Sequence, residues 1–93
     1  MDIFAQLAER IIQEQETIIG PIALEQAKKV PGIEVDWQKK EVKIQGDEQK
    51  AVEQLIEKYR DFFGNASVEV CREAVKSIIG QVPAGQMPPL LVK

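Results

Sequence analysis

The stretch Val30-Pro31-Gly32-Ile33-Glu34-Val35-Asp36-Trp37-Gln38-Lys39-Lys40-Glu41-Val42-Lys43-Ile44-Gln45-Gly46-Asp47 decides the fold, because the apolar period changes within it. Ile33, Val35 and Trp37 alternate with Glu34 and Asp36, and Val42 and Ile44 alternate with Glu41, Lys43 and Gln45. A period of two sends successive side chains to opposite faces of an extended chain, so this spacing predicts two strands sharing one apolar face. Gln38-Lys39-Lys40 joins them as a hairpin. A lone hairpin is barely stable in water, so its apolar face must lie against helices or pair with strands of a second copy.

Upstream, the period is that of a helix. After Asp2, a good N-cap, Phe4, Leu7, Ala8, Ile11, Ile12, Ile18 and Ile19 paint one stripe. Gly20 supplies the permissive dihedral that ends a helix, and Pro21 fits the first turn of the next, where its missing N–H costs nothing. A short second helix carries Ile22, Ala23, Ala27 and Val30 inward and stops before Pro31-Gly32. Downstream, Asp47 caps a long helix with the stripe Ala51, Val52, Leu55, Ile56, Tyr59, Phe62 and Phe63, closed by Gly64. Asn65 or Ser67 caps a fourth helix with Val68, Cys71, Ala74, Val75 and Ile78 inward, ending near Gly80. The predicted fold is α+β, ordered ααββαα, with two helix pairs flanking a central antiparallel hairpin. Residues 1–80 form the single domain, and 81–93, with Pro83, Gly85, Pro88 and Pro89, form a tail that cannot continue a helix.

The two helix pairs can be laid over one another at an offset of 44 residues. Ile11-Ile12 then meets Leu55-Ile56, Ile18-Ile19-Gly20 meets Phe62-Phe63-Gly64, and Ala27 meets Cys71. The identities are Glu9/Glu53, Ile12/Ile56, Gly20/Gly64 and Glu25/Glu69. The match is either a duplication or the coincidence of two amphipathic helix pairs. In both cases each unit has an apolar stripe it cannot bury alone, so the units should pack together, with the hairpin as connector and lid.

Composition removes several functions. A length of 93 residues supports one core, and 44% hydrophobic with 29% charged residues matches a chain that folds. The net charge of -3 and the isolated basic pairs Lys28-Lys29 and Lys39-Lys40 argue against nucleic acid, which needs clustered cations. One cysteine, Cys71, cannot form an internal disulfide, and no run approaches the ~20 apolar residues of a membrane span. With no basic-then-apolar leader at Met1-Asp2-Ile3-Phe4-Ala5, the expected location is the cytoplasm.

The chain contains no histidine, the commonest general base and metal ligand. Cys71 lies on an apolar helical stripe with nothing nearby in sequence to activate it. The glycines stand singly at element ends, so no phosphate loop is formed. The expectation is therefore no enzyme, no cofactor and no metal site.

Two stretches resemble known families. Val30 to Asp36, Glu41 to Asp47, Ala51-Val52 and Ile56 resemble the middle of heavy-metal-associated domains, over about a third of the chain. In that family the preceding helix opens with a Cys-x-x-Cys metal pair after a first strand. Here Glu16 and Ile19 stand at those places and a helix replaces the strand, so the resemblance implies a helix–hairpin–helix pattern without metal carriage. Ile18-Ile19-Gly20-Pro21-Ile22-Ala23 is similar to an Ile-Gly-Pro-Ile-Ala segment of small helical modules appended to bacterial signalling proteins. That resemblance implies a regulatory or adaptor role.

The leading expectation is thus a protein-interaction or regulatory module, working with a protein partner or as a homodimer. The candidate partner contacts are Trp37, Tyr59, Met87, Leu90 and Leu91. Trp37 ends a strand beside an exposed turn, where an interface anchor could form. Met87-Pro88-Pro89-Leu90-Leu91-Val92 is either an extended ligand pre-ordered by proline or a strap folded over its own domain. The alternative function is binding of a small hydrophobic or metabolite ligand between the helix pairs, in a pocket lined by Ile18, Ile19, Phe62 and Phe63.

Overall fold

The computed structural model describes residues 2–92. Its elements are α1 (Ile3–Ile19), α2 (Ile22–Lys28), β1 (Ile33–Asp36), β2 (Glu41–Ile44), α3 (Glu48–Phe63) and α4 (Ala66–Val75). Short 3-10 helices follow at Ile79–Gln81 and Pro89–Leu91. The fold is α+β, four helices and one antiparallel hairpin among the described residues.

Both long helices start on an aspartate. The Asp2 carboxylate accepts from the Phe4 amide at 3.0 Å and the Asp47 carboxylate from the Lys50 amide at 3.1 Å, each satisfying a helix-terminal donor. The fourth helix starts differently from expectation. Asn65 holds its N-cap position in the right-handed helical region and makes no side-chain cap bond, while Ser67 is buried inside the helix. That helix also stops at Val75, and Lys76 to Ile78 form turns before the 3-10 helix.

The hairpin pairs Ile33 with Ile44, Glu34 with Lys43, Val35 with Val42 and Asp36 with Glu41. This register puts Ile33, Val35, Val42 and Ile44 on one face and the charged residues on the other. The apolar face covers the first helix pair, β2 running against α1 and β1 against α2. The hairpin therefore lies on that pair as a lid.

The core is the meeting surface of the four helices. Leu7, Ile11, Ile12, Leu55 and Ile56 are fully buried, each contributing roughly 1.5–3 kcal/mol by leaving water. The tail joins the same core. Val82 and Leu91 belong to it, Pro88 is fully buried, and the Pro89–Leu91 turn packs on α3 and α4.

Candidate functional site

The two glycine corners have the same construction. Gly20 and Gly64 take φ of 77° and 83°, a region that any other residue enters at a cost. Their amides donate to the Glu16 and Arg60 carbonyls at 2.8 and 2.7 Å. Beyond them, Ala23 and Ser67 donate to the Gly20 and Gly64 carbonyls at 3.0 and 3.1 Å, and Leu24 and Val68 donate to the Pro21 and Asn65 carbonyls, both at 3.0 Å. Every partner in one corner stands 44 residues from its counterpart in the other.

Two buried side chains then cross between the halves. Gln15 Nε2, from α1, donates to the Ser67 carbonyl in the first turn of α4 at 3.1 Å. The Tyr59 hydroxyl, from α3, donates to the Ala23 carbonyl in the first turn of α2 at 2.7 Å. Donors 15 and 59 are separated by 44 residues, and so are acceptors 23 and 67. Each long helix thus reaches into the corner of the other pair, and both corners lie at one end of the molecule.

That end leaves its largest apolar side chains in water. Ile18 is 59% exposed, Phe62 53% and Phe63 36%, with the two phenyl rings 4.8 Å apart. Ile18 and Phe62 are counterparts at the same 44-residue offset, each one turn beyond its cross-bonding donor. They face outward, so they do not enclose the pocket expected between the helix pairs. A cleft of about 370 Å³ elsewhere is lined mainly by charged side chains, Lys29, Glu57, Lys58 and Asp61, with Pro31 and Gln54.

The expected contact residues fall into three environments. Trp37 is half-buried at the start of the hairpin turn, and its indole N–H donates to Glu16 Oε1 at 3.0 Å. Lys40 Nζ stands 4.2 Å over the same ring and 3.9 Å from that carboxylate, so the turn is fastened to the last turn of α1. Tyr59 and Leu91 are core residues, as the inward stripe and the strap reading have them, and their burial leaves neither open as a candidate partner contact. Tyr59 occupies the inward stripe, where its hydroxyl finds a carbonyl, and Leu91 fills the core end of the strap. Met87 and Leu90 are half-buried and packed against the core.

The tail is held by side chains of the second helix pair. Gln49 Nε2 donates to the Met87 carbonyl at 3.0 Å, and the Leu90 amide donates to Glu53 Oε1 at 2.9 Å. Arg72 donates through Nε to the Leu90 carbonyl at 3.0 Å and through Nη2 to the Val92 carbonyl at 3.3 Å. Its Nη1 also pairs with Glu69. Gln49, Glu53 and Arg72 carry no signature in the sequence, because lone polar residues on helix faces form no pattern.

The buried titratable groups are held neutral. Burial raises the Cys71 thiol from 9.0 to about 11, against opposing effects from the Gln15 bond and Arg72. Burial likewise raises the Tyr59 phenol well above its ordinary value, reinforced by the Cys71 and Glu16 charges. A thiol so shifted is a poor nucleophile at neutral pH. Among the described residues no group of three or more His, Cys, Asp or Glu could hold a metal ion, and no helix is long and apolar enough to cross a membrane.

No protein-family model, curated protein or solved structure matches this chain.

Proposed function

We propose that the protein is a non-enzymatic interaction or regulatory module that presents its double-corner end to a protein partner, a second copy of the chain being the simplest one. The observation that carries this reading is the outward exposure of Ile18, Phe62 and Phe63 at the end where both corners meet. Large apolar side chains gathered on one surface and backed by a rigid core fit an interface hot spot. The Ile-Gly-Pro-Ile-Ala resemblance runs through the same corner and agrees with an adaptor role.

The scaffold behind this face is, in our reading, a duplicated helix–corner–helix unit with pseudo-twofold symmetry. The reciprocal bonds from Gln15 and Tyr59 support it, because coincidence of two amphipathic stripes does not produce matched donors and matched acceptors at one offset. A twofold arrangement brings equivalent side chains of both halves to one end, which explains why Ile18 and Phe62 share it.

The test is a chain carrying Ile18→Ser with Phe62→Ser, compared with the wild type by sedimentation and by co-purification from native extract. The double variant should keep its helical circular dichroism and its melting temperature while losing association. An unchanged set of associated proteins and an unchanged sedimentation coefficient would refute the proposal.

A further inference from the structure

The contacts that hold the tail have the form of a peptide-binding site. The four hydrogen bonds that Gln49, Glu53 and Arg72 make with the tail are all with main-chain groups of residues 87, 90 and 92. The tail contributes side chains as apolar anchors, Pro88 and Leu91, both buried. Main-chain bonds plus a few side-chain pockets are how grooves recognise short peptide segments, and proline lowers the entropy lost on docking. The segment between this site and the core is a compact turn. Pro83, Ala84, Gly85 and Gln86 are exposed, the Gln86 amide donates to the Pro83 carbonyl at 3.0 Å, and Gly85 takes φ of 89°.

We propose that the surface between α3 and α4 is a binding site for a Pro-Pro-Leu-Leu segment folded as the 3-10 turn at Pro89–Leu91, closed in cis by the chain's own tail and filled in trans by the tail of a second copy. The exchange makes and breaks no groove contact, since the same four bonds and two anchors form either way. Its balance is set by the turn at residues 83–86, which must bend back for closure and straighten for exchange. A tether this short holds the cis tail at an effective concentration on the order of millimolar, so the wild type is closed when dilute. The proposal is independent of the double-corner face.

A Gly85→Val change tests it, because a Cβ at Gly85 meets no atom within 4 Å and acts only through the left-handed dihedral. That dihedral penalises the bent turn, so sedimentation velocity at about 1 mM should show dimerisation strengthened roughly tenfold over the wild type. An excess of a peptide with the sequence of residues 84–93 should return the variant to monomer, and adding Arg72→Met should weaken that peptide's binding about tenfold. A variant that stays monomeric with its tail ordered, or a dimer that the peptide leaves intact, overturns the proposal. Should the variant fail to fold, hydrogen exchange of the wild type decides. The Leu90 amide should exchange by local opening, far faster than core amides of α1, and its exchange only at the core rate contradicts release of the tail.

Discussion

The hairpin packs on α1 and α2, and the tail packs on α3 and α4, yet the two covering segments satisfy their backbones by different means. The hairpin carries its own ladder, so it asks of the helices an apolar surface and one fastening, from Trp37 to Glu16. The tail has no ladder, and its carbonyls and amide are met by Gln49, Glu53 and Arg72 reaching out from the helices. The helix pairs beneath share their corner bonds and their crossing bonds at one offset. Equivalent scaffolds have thus been finished with inequivalent covers, and the second cover is the one that depends on its neighbours' side chains.

The largest expected effect separates the two crossing bonds. Tyr59→Ala removes a fully buried ring and should cost about 3–5 kcal/mol, whereas Gln15→Ala removes mainly a buried hydrogen bond and should cost about 1–3 kcal/mol. Urea denaturation measures both. Equal costs would mean that the two halves bear load equally despite their different side chains.

Next come the covers themselves. Deleting residues 82–93 removes Val82, Pro88 and Leu91 from the core and should lower stability by about 2–4 kcal/mol, with a matching fall in melting temperature. Trp37→Ala removes one hydrogen bond and a half-buried ring and should cost less, about 1–2 kcal/mol. A deletion that leaves the melting temperature unchanged would show that the tail is not part of the fold.

A third effect is set by pH. The Cys71 thiol is protonated in both states below pH 9.0, so its contribution is complete there. As pH rises from 9 toward 11 the unfolded chain releases that proton and the folded chain retains it, so stability falls across this window. Tyr59 acts in the same direction from about pH 10 upward. The thiol's share is on the order of 2 kcal/mol, and Cys71→Ala should flatten that part of an alkaline denaturation curve. An identical curve for the variant would place the loss elsewhere.

The smallest effect sits at the tip of the hairpin. Lys40 takes φ of 53°, which costs a lysine more than a glycine, while its ammonium stands over the Trp37 ring. Lys40→Gly relieves the first and loses the second, so its net effect should stay within about 0.5 kcal/mol. A clear loss would show that the cation fastens the turn more strongly than its exposure suggests.

Much of the fold was legible because it rests on short-range rules. The alternation in Ile33 to Ile44 marked the strands, the aspartates and glycines marked the long helices' ends, and the 44-residue match anticipated the two corners. The candidate site was less legible for a physical reason. Ile18 and Phe62 read as inward because they continue the stripe, yet both side chains stand exposed, and spacing along one helix does not say which of its turns a neighbour covers. Tyr59 and Leu91 are buried, as the α3 stripe and the strap reading of the tail foretell, although both residues also stood as candidate partner contacts. The tail's clamp was invisible for want of any periodicity in Gln49, Glu53 and Arg72.

Site-directed photo-crosslinking tests the central claim most directly. Benzoylphenylalanine is placed at position 62 of the full chain, and in a second chain at the exposed Gln13, and both are irradiated in native extract. Position 62 should yield a discrete adduct, either with a partner protein or at twice the chain's mass, while position 13 yields none. Equal adducts from both positions, or none from position 62, would contradict an interaction face at the double-corner end.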